Sequence, residues 1–539
     1  MIRRPPRSTQ SRSSAASDVY KRQILEAAVW LPAALWLMER GLSRRSYTDI
    51  ILAGAALACS VLAGHFQTSL YVTYVSGAYW LFRASQARPG WRFAVTATGL
   101  LAGVAIGLSA AQWLPSLEMA RLSPREQLTY AEYAKGFAPA ELWGLLRPNA
   151  GQWSPLYVGI PTLALALLSP FNIRRNRQSV VSPTESPSTI IFWAGVIGIA
   201  LLLSLGGNGF LYPLAYRFAP GFSLFRQQER AVLVVAFGLV TLAGFGYAWL
   251  ARQRVWRWPA WGALLALIFF DLYLANGGVI LQQAPTGGYF ASTPAVEYLN
   301  HVRDNTWRIS SEGLLPGDGN AGLVYQFRDV VGSGPLYLAD FERFLKRVPE
   351  LRWWQMLNVD YILTRRPLDH GALALILEDG DQRLYQAFLG GKPAWIVHSW
   401  QPAPNSAAAI EATAQPACDP FQTVILERAP SPAPAPPILT EEVRLLTFKP
   451  HRVSLEASLS APGVVVLSEV FYPGWRVWVN GQPAEALRAY GILRAVAVPA
   501  GVSRIEWRFV SWTVWLGLAG SLLTFAACLI VVVVRPPSN

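Results

Sequence analysis

Cysteine and histidine are scarce in this chain, and their placement excludes two kinds of site. The 539 residues include only three cysteines and five histidines. Cys59 and Cys528 lie within apolar stretches and Cys418 stands alone, so no disulfide framework is expected. The histidines are scattered, and none stands at i, i+4 beside a carboxylate as a zinc site would require.

Phosphate-binding glycine motifs are also missing. No GxxxxGK[ST] or GxGxxG element follows a strand, which leaves soluble nucleotide chemistry without support. No soluble cofactor is evident, and a divalent metal is compatible with the sequence although no ligand cluster supports it.

Charged residues are few for a chain of this length. They make up 15% of the sequence, against 52% hydrophobic residues, which is too apolar for a soluble protein. The net charge of +13 comes from arginines placed in short segments between apolar stretches. That distribution favours membrane orientation over a nucleic-acid-binding face, so no nucleic-acid partner is expected.

Nine apolar stretches approach the roughly 20 residues needed to cross a hydrocarbon core about 30 Å thick. They are 24–39, 48–64, 66–82, 93–113, 156–171, 190–205, 230–250, 259–276 and 511–534. Every second gap between them holds an arginine cluster: Arg40/Arg44/Arg45, Arg83/Arg88/Arg92, Arg174/Arg175/Arg177 and Arg252/Arg254/Arg257. Because positive loops stay in the cytoplasm, the alternation predicts a polytopic α-helical membrane protein with about nine spans. It also places the segment from about Gly277 to Val510 on the external side.

Residues 1–23 do not belong to this pattern. They are rich in arginine and serine and have no apolar core, so they are not a secretory signal. The string resembles a translated sequencing adaptor more closely than an organellar transit peptide. We therefore expect a non-native segment there, and an N-terminally truncated fragment that lacks spans before Ile24.

The domain organisation predicted from these patterns has a helical membrane part, 24–276, and a final transmembrane helix, 511–534. Between them, 277–429 is predicted as an external α/β domain, and 438–510 as an external β-sandwich. A proline-rich linker, 430–437, should be extended and semi-rigid. The strongest local signals are a helix Pro294–Arg303 entered at Thr293, and a hairpin at Asn480-Gly481. Further strands are predicted at Val359–Leu363, Ala394–Val397, Thr423–Leu426, Val464–Leu467, Trp475–Val479, Leu493–Val498 and Ile505–Phe509.

Polar residues at membrane depth are the first site candidates because they are costly there. Asp271 lies inside an apolar stretch, where it either has a functional role or sits near the outer end of its span and caps or pairs with a loop arginine. His65 and Gln67 occupy a tight external turn. They either line an external cavity or satisfy the backbone groups of the turn.

The predicted external loop from Leu114 to Trp153 is longer than usual connections. Glu118 and Arg121 are three residues apart, so on a helix they would share a face and could pair. Alternatively, Arg121 and Arg125 hold a phosphate, with Tyr130 and Tyr133 against a sugar. A later external loop contributes Arg226, Glu229 and Arg230, which either bind an anion or form an ion-pair network around Glu229.

Several short motifs occur one after another along the chain. They are Gly64-His65-Phe66-Gln67, Pro115…Glu118…Ser123…Arg125, Phe225-Arg226…Glu229-Arg230, Leu357-Asn358-Val359-Asp360-Tyr361-Ile362-Leu363 and Tyr472-Pro473-Gly474-Trp475…Asn480-Gly481…Val498-Pro499-Ala500-Gly501. Together they resemble the YfhO-like bacterial membrane proteins over Ile24 to Val534. The Pro-Gly-Trp and Pro-Ala-Gly elements are the most specific.

The resemblance implies a protein similar to GT-C glycosyltransferases in the bacterial cytoplasmic (inner) membrane. Such an enzyme would transfer a sugar from a polyprenyl-phosphate donor to an envelope glycopolymer or glycolipid acceptor on the external face. Its catalytic acid would lie in a first external loop upstream of Ile24, so no catalytic residue is assigned. The other hypothesis is a non-catalytic membrane accessory or assembly factor whose external domain binds a partner. A transporter is disfavoured because the spans show no inverted repeat.

Overall fold

The chain forms two compact units. The structure is a computed structural model that describes residues 22–124, 129–148, 156–175, 186–253, 258–280, 290–303, 306–317, 321–331 and 337–534. The helical unit consists of the described residues of Tyr20–Leu114, Gln127–Ala284 and Leu516–Asn539. The sheet unit consists of those of Pro115–Glu126 and Pro285–Trp515.

Each predicted apolar stretch overlaps a helix. The helices are Trp30–Arg44, Tyr47–Leu62, Phe66–Ala87, Trp91–Leu108, Ile160–Arg175, Pro187–Ser204, Val232–Ala251, Trp258–Ile280 and Trp512–Val534. Among the described residues, five segments are long and apolar enough to cross a membrane: Trp91–Leu108, Pro187–Ser204, Gln228–Ala251, Pro259–Asn276 and Trp512–Val532. This is the pattern of a multi-pass membrane protein.

The count of nine spans is not confirmed. Trp30–Arg44 has 15 residues and Tyr47–Leu62 has 16. At a rise of 1.5 Å per residue, Tyr47–Leu62 is only about 24 Å long, which is shorter than a hydrocarbon core of about 30 Å. Trp30–Arg44 directly follows the helical residues 22–28 and the helical-backbone residue Val29. Nine spans therefore stay a prediction.

The predicted span 93–113 is corrected, because its helix ends at Leu108 and a second helix, Ala110–Leu122, follows. Ser521 satisfies backbone groups at this break: its Oγ accepts from Ala111 N–H at 3.0 Å and donates to Leu108 O at 2.8 Å. The predicted loop from Leu114 thus begins as helix.

Close helix contacts in the helical unit depend on glycine. A Cβ added at Gly246 would lie 1.8 Å from the carbonyl oxygen of Leu165. Helix Val232–Ala251 therefore approaches helix Ile160–Arg175 backbone to backbone, as small residues allow in membrane proteins.

Ion pairs also join helix Trp30–Arg44 to its neighbours Tyr47–Leu62 and Phe66–Ala87. Arg83, which is 3% exposed, binds Glu39 with an Nη2–Oε1 distance of 2.6 Å, and Tyr79 donates to the same carboxylate at 3.1 Å. Arg40 pairs with Asp49. Two arginines that predict orientation therefore also connect neighbouring helices.

The sheet unit contains fifteen strands within its described residues. In chain order they are β1 (Arg308–Ser310), β2 (Val359–Thr364), β3 (Leu373–Asp379), β4 (Gln382–Ala387), β5 (Ala394–Val397), β6 (Ser399–Pro402), β7 (Thr423–Leu426), β8 (Glu442–Lys449), β9 (Arg452–Leu459), β10 (Gly463–Val470), β11 (Trp475–Val479), β12 (Gln482–Ala484), β13 (Leu487–Ala489), β14 (Leu493–Val498) and β15 (Gly501–Phe509). They form a four-stranded sheet β1-β2-β4-β3, a six-stranded sheet β5-β10-β14-β13-β7-β6 and a five-stranded sheet β12-β11-β15-β9-β8. Helices Pro294–His301, Ala339–Arg347, Glu350–Met356 and Ser406–Ala414 accompany them.

The predicted division at 430–437 does not separate two sheets. Strand β10 pairs with β5 on one side and with β14 on the other, so the six-stranded sheet takes strands from both sides of the linker. Val464, Val465 and Val466 are all buried, which means that β10 is covered on both faces. A strand of that kind belongs inside a sheet, and strands from the predicted α/β region complete it.

A buried charge cluster holds the four-stranded and six-stranded sheets together. Glu469 of β10 lies 2.5 Å from Nη2 of Arg308 on β1 and 3.4 Å from Nη2 of Arg494 on β14. It also pairs with Arg328, which stacks on Phe448 at 4.2 Å from Cζ to the ring centroid. Burial would raise the pKa of Glu469, but the three guanidinium groups outweigh it and lower that pKa.

Candidate functional site

The tight turn predicted to hold His65 and Gln67 is the start of helix Phe66–Ala87. His65 is 3% exposed, and its Nδ1 accepts from the Thr68 backbone N–H at 3.2 Å. The imidazole therefore closes the first helical turn, which satisfies one of the donors that a helix N-terminus leaves open.

Gln67 and Arg230 are brought together across 163 positions of sequence. Arg230 Nη1 donates to Gln67 Oε1 at 2.8 Å, and its Nη2 donates to the side-chain oxygen of Gln227. Gln67 Nε2 in turn donates to the backbone oxygen of Gln227 at 3.2 Å. The guanidinium is thus oriented by two amides at the start of the membrane-length segment Gln228–Ala251.

The backbone at Gln227 has φ of 65°, a left-handed conformation that is uncommon for a residue with a side chain. Such conformations cost about 1–3 kcal/mol and persist only when surrounding contacts hold them. Here Gln228, which is 1% exposed, supplies the contacts: its Nε2 donates to Phe225 O at 2.6 Å, and its backbone N–H donates to Lys135 O at 2.7 Å.

Tyr71 connects this network to a group of tyrosines. It accepts from Gln67 Nε2 at 3.1 Å and donates to Gln228 Oε1 at 3.2 Å, while Gln228 Nε2 also reaches Tyr133 O at 3.4 Å. Tyr133 lies 6.0 Å, centroid to centroid, from Tyr216.

The tyrosine group is defined as Tyr130, Tyr133, Tyr212 and Tyr216. Tyr130 lies 5.1 Å from Tyr216 in an edge-on arrangement and is stacked 6.3 Å from Tyr212. Tyr212 is fully buried, whereas Tyr130 is 41% exposed. The ring of Tyr130 is therefore accessible, while Tyr212 anchors the group in the hydrophobic core.

The remaining predicted residues of the helical unit have other surroundings. Arg226 is exposed, and Glu229 is half-buried with Arg230 and Lys135 as the nearby cations. Asp271 accepts from Tyr157 Oη at 2.7 Å and from Ile160 N–H at 2.9 Å. It therefore holds the N-terminus of helix Ile160–Arg175.

Glu118 and Arg121 belong to the sheet unit, and Arg125 lies outside the described residues. Glu118 accepts from Thr513 Oγ1 at 2.5 Å. It also lies beside Tyr472, where burial and the carboxylate both raise the pKa of the phenol. Arg121 is exposed.

Sequence reasoning missed Tyr71, Gln228, Tyr212 and Tyr216. Tyr71 had a usable signal, because it is four residues after Gln67 and shares its helix face. Within the described ranges, no group of three or more His, Cys, Asp or Glu side chains is placed to hold a metal ion.

The features above define a multi-pass membrane protein with a large sheet-rich unit. No family model and no curated protein sequence matches the chain. Two cryo-EM structures of the mycobacterial arabinofuranosyltransferase AftD are similar to it at 11% identity, and each match covers 91% of this chain. A mutant form gives a TM-score of 0.40 over 49% of its length, and a second AftD structure gives 0.39 over 47%. The chain thus spans about half the length of these structures, and the TM-scores are too low to establish a shared fold.

Proposed function

We propose that this chain belongs to a membrane glycosyltransferase of GT-C type. It would transfer a sugar from a polyprenyl-phosphate donor to an envelope polymer or lipid at the external face of the bacterial cytoplasmic membrane. The observation that carries the proposal is the guanidinium of Arg230, which Gln67 and Gln227 orient and which Tyr71 and Gln228 connect to the tyrosine group.

The two halves of such a donor match the two parts of this site. Arginine binds phosphate through charge-assisted hydrogen bonds, which are stronger than neutral ones. A tyrosine offers an apolar ring for a sugar face and a hydroxyl for its polar groups. Arg230 also precedes helix Val232–Ala251, whose N-terminus favours an anion.

Binding of the lipid phosphate is the first test. The purified full chain in detergent would be titrated with a polyprenyl phosphate, and Arg230→Gln compared with Arg217→Gln, which removes an exposed arginine of helix Leu211–Phe218. Loss of a charge-assisted hydrogen bond of about 1.5–3 kcal/mol should weaken binding by roughly 10- to 150-fold in Arg230→Gln alone. Arg230→Lys should recover part of the affinity, and equal affinity in all variants would exclude Arg230 as the phosphate ligand.

The tyrosine group is tested with the glycosylated lipid. Tyr130→Ala should weaken binding of a polyprenyl-phosphate sugar and leave the affinity for the bare lipid phosphate unchanged. If both affinities fall together, Tyr130 stabilises the folded site rather than contacting the sugar.

A non-catalytic accessory role is the second candidate, because two carboxylates of the segment 129–148 are already engaged. Glu141 accepts from the Ala138 backbone N–H at 2.7 Å, and Glu132 caps the helix at Thr129. Hydrogen bonds from the Thr129 backbone and side chain lower the pKa of Glu132, which makes it a weak general base. Donor binding without transfer of a radiolabelled sugar would favour this accessory role.

A further inference from the structure

Four basic residues form a row across the five-stranded sheet. Cross-strand register places Arg476 of β11 opposite Arg508 of β15, Arg508 opposite Arg452 of β9, and Arg452 opposite Lys449 of β8. All four side chains are exposed. Residues directly opposite one another lie about 4.5–5.5 Å apart, where like charges destabilise a sheet. This basic row therefore carries a cost that something must offset.

One carboxylate offsets part of it. Glu506 accepts from Arg508 at 3.0 Å and 2.8 Å, and it also pairs with Arg452. Four cations and one carboxylate leave these five residues with a net charge of +3. The residual charge is exposed and favours an anionic partner outside the sheet.

The basic row lies at the end of the sheet where a membrane-length helix begins. Arg508 precedes Trp512, the first residue of helix Trp512–Val534, by four positions, so the two are at most about 14 Å apart. Arg476 is closer still, with its Cζ 5.7 Å from the Trp512 ring. Trp512 and Trp515 are 63% and 61% exposed, and tryptophan is typical of the membrane–water interface.

We propose that the basic row binds the anionic phosphate headgroups of the bilayer that helix Trp512–Val534 enters. The headgroup phosphates of an anionic lipid supply net negative charge at the depth where Trp512 places the row. Zwitterionic lipids have no net charge and would leave the repulsion in place. This surface is independent of the proposed sugar transfer.

The test uses the full chain in nanodiscs of phosphatidylcholine, with and without phosphatidylglycerol, and measures the thermal unfolding midpoint. The row variant is Lys449→Gln with Arg476→Gln, which keeps both partners of Glu506. The matched control is Arg444→Gln with Arg504→Gln, two exposed arginines on β8 and β15 that both face Glu456 of β9. Phosphatidylglycerol should raise the midpoint of the wild type and the control, less so at high salt, and should raise that of the row variant much less.

Nanodiscs of phosphatidylcholine alone test whether the basic row destabilises the protein when no anionic lipid is present. There the row variant should be as stable as the wild type or more stable, because two repelling charges are gone. A short-chain phosphatidylglycerol titrated in detergent should bind the row variant about 25-fold more weakly, at about fivefold per cation.

Three results would overturn the proposal. The row variant would keep the full phosphatidylglycerol effect, or it would lose the same stability in both lipids, or inorganic phosphate would reproduce the effect in phosphatidylcholine discs. If the row variant does not fold, Lys449→Arg with Arg476→Lys replaces it. That variant keeps all charges and must keep the effect, and its loss would also count against the proposal.

Discussion

Replacing Glu469 with glutamine should destabilise the sheet unit more than the loss of an ordinary ion pair. The side chain of Glu469 is 18% exposed and lies between three guanidinium groups, and that of Arg494 is only 4% exposed. Glu469→Gln keeps the shape of the residue and removes the only carboxylate paired with Arg494 in the described part of the chain. Removing one partner of a buried ion pair costs about 3–5 kcal/mol, because the other charge stays buried.

The state of Arg494 supports a loss within that range. Burial lowers the pKa of Arg494 from its ordinary value of 12.5 to about 10, even with Glu469 present. Burial therefore disfavours the charged form of Arg494 in the folded protein. Arg494 Nη1 also has no hydrogen-bond partner among the described residues. The cluster thus depends on Glu469 to hold a charge that is already unfavourable.

The assay is the thermal unfolding midpoint of the full chain in detergent. A loss of 3–5 kcal/mol in a unit of this size should lower the midpoint by roughly 6–20 °C. Arg494→Met should cost much less, because it removes the unfavourable charge and keeps the packing against Trp475, which lies 3.7 Å from the guanidinium carbon. The double variant should recover part of the loss of Glu469→Gln. A fall of less than about 2 °C in Glu469→Gln would refute this account.

Two further predictions concern other contacts. Burial raises the pKa of Glu441, but hydrogen bonds from His398 and Ser460 lower it by more. The net pKa therefore lies below the ordinary 4.5. Glu441 therefore contributes stability that is present above about pH 4.5 and lost as the pH falls through its folded pKa. Glu441→Gln should show a smaller fall in unfolding midpoint between neutral and acidic pH, and parallel curves would assign the acid sensitivity to other carboxylates. Gly246→Ala should abolish a monodisperse peak in size-exclusion chromatography, because its Cβ would meet Leu165 O at 1.8 Å, whereas Gly244→Ala meets nothing within 4 Å and should be tolerated. Equal profiles would mean that the helices can separate without penalty.

Local signals predicted the local structure well. Thr293 caps helix Pro294–His301 by accepting from Val296 N–H at 3.3 Å, as its position before a proline and an apolar pattern indicated. Asn480-Gly481 joins β11 to β12, with φ of 51° and 80° at the two turn residues. Both features depend on neighbouring residues, which a sequence displays directly.

Long-range pairing was not predictable in the same way. Strand β5 pairs with β10 across the proline-rich segment, and no residue of either strand specifies the other. The apolar runs in both strands fit several partners, so the choice depends on the whole arrangement. Composition and proline content therefore indicated a domain boundary where the structure has a shared sheet.

Long-range contacts in the candidate site could not be predicted from the sequence either. Gln67 and Arg230 each stood out as polar residues beside apolar stretches, but nothing in the sequence connected them. Their hydrogen bond depends on how helix Phe66–Ala87 and the segment before Val232 pack together. The sequence did not single out Tyr212 and Tyr216 as site residues either, since tyrosines are common near membrane interfaces.

The position of β15 bears on how the protein is made. β15 is the middle strand of its sheet, yet the ribosome synthesises it after its neighbours β9 and β11. Those two strands expose unpaired edges until β15 emerges, and open edges recruit other chains. Only Val510 and Ser511 separate β15 from the apolar helix that follows. Closing the sheet and delivering that helix to the translocation machinery are therefore nearly simultaneous events, and a stall between them would leave an aggregation-prone intermediate.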